Sequence, residues 1–136
     1  MSTDYFDAKM SSLRVLVVDD EPILRNLVEH ALKSMGIKNI SMAADGKKAL
    51  QIYDVSDQTF DLIICDWIMP KMNGLEVLRQ IRGRNRGSKF LMLTANATKE
   101  AVTEAIAAGT DSYIAKPFTA KELHKKVKSV TKDIVD

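Results

Sequence analysis

Five short runs of aliphatic and β-branched residues alternate with stretches of helical period, and this alternation restricts the fold more than any other feature of the chain. The runs are Leu13–Val18, Asn39–Ala44, Asp61–Cys65, Lys89–Leu93 and Asp111–Ala115. The first and third show no polar alternation, as expected of strands covered on both faces of a parallel sheet. Between them, apolar residues repeat at helical spacing. Leu24, Leu27, Val28, Ala31, Leu32 and Met35 follow Pro22 and stop at Gly36; Ala49, Leu50 and Tyr53 follow the Asp45-Gly46 turn. Leu75, Leu78 and Ile81 follow Gly74, and an alanine-rich stretch from about Thr98 to Ala108 closes on Gly109. A capping box, Thr119-x-x-Glu122, opens a last helix with the stripe Leu123, Val127, Val130 and Ile134.

Strand and helix signals in this order predict an α/β domain. Right-handed crossovers favour a flavodoxin-like, doubly wound, five-stranded parallel sheet in the order 2-1-3-4-5, with helices on both faces. Residues 1–11 read as a flexible N-terminal extension and residues 12–136 as one domain. A chain of 136 residues buries roughly 65–70% of the surface its unfolded form exposes, so it needs neither disulfide nor structural zinc. The lone cysteine, Cys65, lies inside an apolar run and reads as a core residue; one cysteine permits no internal disulfide, which suits a reducing compartment. The N-terminus lacks the pattern of a signal peptide, and no apolar stretch approaches a membrane span. The expectation is a soluble, cytoplasmic monomer without membrane insertion. A net charge of +2 is too small to imply nucleic acid.

The first strand runs into Asp19-Asp20-Glu21 and the third into Asp66, while the fourth is followed by Thr94 and the fifth by Lys116-Pro117. In the 2-1-3-4-5 order the first and third strands are neighbours, so these residues meet in one crevice at the carboxyl edge of the sheet, where open α/β sheets bind ligands. Each has a plainer reading alone: a helix N-terminus favoured by acids, a turn, a cap, a loop. Four such coincidences at four strand ends are a poor alternative. Three carboxylates at one spot repel unless a cation joins them, and hard oxygen donors predict a divalent metal, Mg²⁺.

Val17-Val-Asp-Asp-Glu21, Asp66-Trp-Ile-Met-Pro70 with Gly74, Thr94-Ala95 and Lys116-Pro-Phe118 together resemble the response-regulator receiver domain, in particular its stand-alone chemotaxis (CheY) type. The resemblance runs from about Leu13 to Lys132. It implies that 12–136 is a receiver domain and that Asp66 accepts a phosphoryl group. It implies Asp20 and Asp66 as direct Mg²⁺ ligands, Asp19 as a ligand through water, and the Ile68 backbone carbonyl as the remaining protein ligand. Lys116 pairs with the acceptor and then with a phosphoryl oxygen, Thr94 donates its hydroxyl to the phosphoryl group, and Tyr113 is the switch aromatic. The Lys116–Pro117 bond is expected to be cis. The implied donor is a phosphohistidine on a sensor histidine kinase or histidine phosphotransfer protein. The implied output is a downstream protein bound on the face of the fourth helix, fifth strand and fifth helix, with no nucleic acid involved. Such a protein catalyses only its own phosphorylation and dephosphorylation.

Ile68 and Asn96 depart from the nearest chemotaxis regulators, which carry Asn and Glu there; both positions are expected to tune turnover of the phosphoryl group. A phosphorelay shuttle or phosphate sink without a switch is an alternative reading. A haloacid-dehalogenase-type phosphatase would need a second Asp where Ile68 stands. An FMN carrier would need a Ser/Thr/Gly-rich phosphate loop where the chain has Asp19-Asp20-Glu21.

Overall fold

The computed structural model describes residues 9–95 and 97–135. Strands β1 (Arg14–Val18), β2 (Asn39–Ala43), β3 (Leu62–Asp66), β4 (Lys89–Thr94) and β5 (Ser112–Ala115) pair in parallel in the order β2-β1-β3-β4-β5. Helices α1 (Pro22–Ser34), α2 (Gly46–Val55), α3 (Gly74–Arg84) and α4 (Lys99–Ala108) connect them, and α5 (Ala120–Val130) and a short α6 (Lys132–Val135) follow. Fold class and strand order are those the alternation predicts.

Period-two geometry along the strands separates two cores. Val15, Val17, Leu62, Ile64, Leu91 and Leu93 face one core, completed by Val28, Ala31 and Leu32 of α1 and Leu123, Val127 and Val130 of α5. Leu16, Val18, Ile63, Cys65, Phe90 and Met92 face the other, under α2 and α3, with Ala108 of α4 packed against it. Both faces are covered, which is why the strand runs carry no polar alternation. Side chains start most of the helices. Asp45 accepts from the Lys48 N–H at 2.8 Å, Asn73 from Glu76 at 3.0 Å and Thr98 from Ala101 at 3.2 Å, while Thr119 and Glu122 form the full capping box. At α1 the cap residue is Glu21, whose side chain makes no capping bond; Pro22 takes the first helical position.

Several boundaries differ from the sequence expectation. Asp66 and Thr94 are the last residues of β3 and β4 rather than the first beyond them. The last helix stops at Val130: the Thr131 hydroxyl donates to the Val127 carbonyl at 2.7 Å, and Ile134 lies in α6 instead of prolonging α5. Residues 9–12 are helical, and Met10 is fully buried in the core with Leu13 and Ile37. The folded unit therefore begins upstream of residue 12, and the flexible extension expected over 1–11 does not hold for 9–11. One isolated apolar side chain has no period to announce its burial. The rest of that expectation, residues 1–8, lies outside the described residues.

Candidate functional site

β1 and β3 deliver two buried carboxylates side by side. The Asp19 N–H donates to the Ala43 carbonyl at 3.1 Å, continuing the β1–β2 ladder past the strand end. Asp19 Oδ1 accepts from the Glu21 N–H at 2.8 Å, and Arg25 Nη1 donates to the Asp19 carbonyl at 2.7 Å, so the Asp19–Glu21 turn is held from two sides. Asp66 is set by its pairing with Leu93. The chain then leaves β3 through a tight loop in which the Trp67 N–H donates to the Leu93 carbonyl at 2.8 Å and the Gly74 N–H to the Trp67 carbonyl at 2.7 Å. Gly74 is required by that approach: a Cβ there would strike the Asp66 carbonyl oxygen and lie 2.9 Å from Trp67 Cα.

β5 contributes the cation. The Lys116 N–H donates to the Thr94 carbonyl at 2.8 Å, and the Lys116–Pro117 bond is cis as expected. Lys116 Nζ stands 3.0 Å from Asp66 Oδ1, 3.5 Å from Asp19 Oδ2 and 4.0 Å from Glu21 Oε1. One ammonium thus serves several acids. Carboxylate oxygens of Asp19, Asp20, Glu21 and Asp66 all lie within 4.8 Å of one another.

Burial, above all, pushes the Asp19 carboxyl above its ordinary range, and the neighbouring Asp66 adds to this; the Glu21 N–H and Lys116 pull the other way. Asp66 is likewise raised chiefly by burial, against the Lys116 hydrogen bond and the Ile68 backbone N–H. For Lys116 burial alone would lower the pKa, but its hydrogen bond to Asp66 and the surrounding acids outweigh that and hold it raised. Asp19 Oδ2 is buried and accepts no hydrogen bond. That oxygen and the neighbouring carboxylates of Asp20, Glu21 and Asp66 are hard donors that could hold a divalent cation, and the residues fit such an ion.

The structure therefore brings together Asp19, Asp20, Asp66 and Lys116. Thr94 is buried at the end of β4, in register with Ala115. The Ile68 side chain is 62% exposed at the rim while its backbone faces Asp66. Tyr113 is half-buried on β5, against the second core. Asn96 lies outside the described residues. Glu21 joins the acidic cluster although its sequence position suggests only a helix start; its unused capping role is the structural reason. Beside the cluster a cleft of about 470 Å³ opens between Ile23, Leu24 and Leu27 of α1 and Pro117 and Phe118, with Glu21 and Lys116 among its walls.

Residues 15–128 match the family model described as the response regulator receiver domain. Chemotaxis protein CheY-3 of Vibrio cholerae serotype O1 is 37% identical over 121 residues, spanning 88% of this chain and 92% of that protein. Among solved structures, Vibrio cholerae CheY4 superposes with a TM-score of 0.80 at 34% identity, covering 87% of this chain and 98% of that one. The Borrelia burgdorferi complex of CheX with CheY, BeF3 and Mg²⁺ superposes with a TM-score of 0.83 at 28% identity, covering 87% and 88%.

Proposed function

Because the chain belongs to the response regulator receiver domain family, a CheY-like component of two-component signalling, we propose that Asp66 accepts a phosphoryl group from a phosphohistidine with Mg²⁺ as cofactor. The observation that carries this reading is Lys116 Nζ 3.0 Å from Asp66 Oδ1 within a cluster of four acids. A carboxylate oxygen of Asp66 attacks phosphorus; the O–P bond forms as the P–N bond to the donor imidazole breaks, and the imidazole leaves. Bound Mg²⁺ supplies positive charge against the carboxylates and the phosphoryl oxygens. Asp19, Asp20, Asp66 and the Ile68 carbonyl are the residues that would hold it. Lys116 gives up its ion pair with Asp66 for a phosphoryl oxygen, and the Thr94 hydroxyl donates to another.

The donor is a histidine kinase or histidine phosphotransfer protein, and the apolar cleft beside Lys116 gives such a partner a surface that leads to the acceptor. Phosphorylation then acts through Thr94 and Tyr113 on the α4–β5–α5 face, where a downstream protein binds. Ile68 and Asn96 tune how long the group stays. A buried Cys65 suits a cytoplasmic protein, and among the described residues no helix is long and apolar enough to cross a membrane.

Incubation with acetyl phosphate and Mg²⁺ should add one phosphoryl group, read by intact mass. EDTA should prevent it and Asp66→Asn should abolish it. Equal labelling of the Asn variant overturns the assignment.

A further inference from the structure

We propose that Lys126 is a positioning residue for Tyr113: its ammonium, seated over the ring, holds that side chain in its resting place and so sets how readily the domain passes to the activated arrangement. The inference rests on the reading of Tyr113 as the switch aromatic. In sequence Lys126 is one of several lysines on α5, and Lys121, Lys125 and Lys128 are indeed exposed. Lys126 is not. It is half-buried, with Nζ 5.4 Å from the centroid of the Tyr113 ring and 3.5 Å from Ser112 Oγ. That separation is within the range over which an ammonium is attracted to a ring face. Tyr113 also packs against the second core, so the ring is held by apolar contact and by a cation.

Three residues further along the chain, Lys116 is ion-paired with Asp66 and its backbone N–H is bonded to Thr94. The resting ring position and the unphosphorylated pairing of Lys116 are thus features of the same short segment. A contact present in one state and lost in the other shifts the equilibrium by its own strength. If the ring leaves Lys126 on activation, the contact favours the resting state about two- to fivefold, the range of a partly exposed cation–π pair.

The test uses the full-length chain labelled with 3-fluorotyrosine, the Tyr113 resonance being assigned with Tyr113→Phe, and beryllofluoride with Mg²⁺ as the activating probe. Trp67 fluorescence reports site occupancy. Lys126→Met keeps the aliphatic stem and removes the charge; Lys126→Arg keeps a cation; Lys125→Met controls for net charge. The expected result is a Tyr113 resonance in Lys126→Met already displaced toward its activated position before beryllofluoride is added, with half-saturation at two- to fivefold lower concentration. Lys126→Arg should restore both, and Lys125→Met should move neither. An unchanged resonance and midpoint in Lys126→Met, a higher midpoint, or the same shift in Lys125→Met overturns the inference. If the wild-type Tyr113 resonance does not respond to beryllofluoride while Trp67 does, the switch reading of Tyr113 fails instead, and this inference with it.

Discussion

At the scale of single residues, the acidic cluster makes the metal-free fold sensitive to pH in an unusual direction. Asp19 and Asp66 hold their protons to higher pH in the folded chain than an ordinary carboxyl does, mainly because they are buried. Over the window from the ordinary carboxyl range up to those raised values, the folded state binds more protons than the unfolded state, so stability falls as pH rises through it. In EDTA at pH 7, Asp19→Asn should raise stability, because it removes a buried charge whose desolvation and repulsion from Asp66 outweigh its pairing with Lys116. The amide retains the oxygen that accepts from the Glu21 N–H. Denaturant unfolding with and without Mg²⁺ checks this: the gain should shrink or reverse when Mg²⁺ is present, and a loss of stability in EDTA would contradict it. Ile68 bears on turnover. Its exposed side chain offers no hydrogen bond to orient a hydrolytic water, whereas its amide is committed to Asp66. Ile68→Asn should therefore speed loss of the phosphoryl group by about threefold to tenfold, or ~0.7–1.4 kcal/mol of barrier, measured as decay of the phosphorylated mass after the donor is removed. Decay at or below the wild-type rate would show that this side chain does not control the water.

At the scale of elements, the decisive piece is the start of α3. Gly74 lets the helix begin against the Asp66 carbonyl, so Gly74→Ala must push the loop from Trp67 to Asn73 away from Asp66. A cost of about 1–3 kcal/mol is expected for overpacking a tight contact. Because the same loop carries Ile68, the Mg²⁺ midpoint followed by Trp67 fluorescence should also weaken; destabilisation with an unchanged midpoint would mean that the loop relaxes without disturbing the metal ligands. The elements themselves were legible in the sequence because buried parallel strands leave continuous apolar runs and helices leave a period. The acids at the ends of β1 and β3 were legible for the same reason, since the strand order makes those ends adjacent. What escaped were features decided by tertiary direction. The role of Glu21 depends on a carboxylate not turning back to cap α1, that of Lys126 on one lysine of a basic face reaching across to β5, and the break after Val130 on a threonine hydroxyl bonding within its own turn.

At the scale of the whole molecule, Asp66, the proposed acceptor, ends the central strand β3, while Thr94, Tyr113 and Lys116 come from β4 and from β5 and its end. Activation with beryllofluoride should therefore move backbone amide resonances around the acidic pocket and along α4, β5 and α5, leaving β2 and α2 little changed. Changes confined to the pocket would favour a phosphate shuttle over a switch. The order of the sheet also leaves one margin idle. β2 is hydrogen-bonded to β1 alone, and none of the residues assigned to receiving, holding or reporting the phosphoryl group belongs to it. Its rim is where the chain has latitude to drift or acquire an appendage while the proposed signal passes along the opposite side.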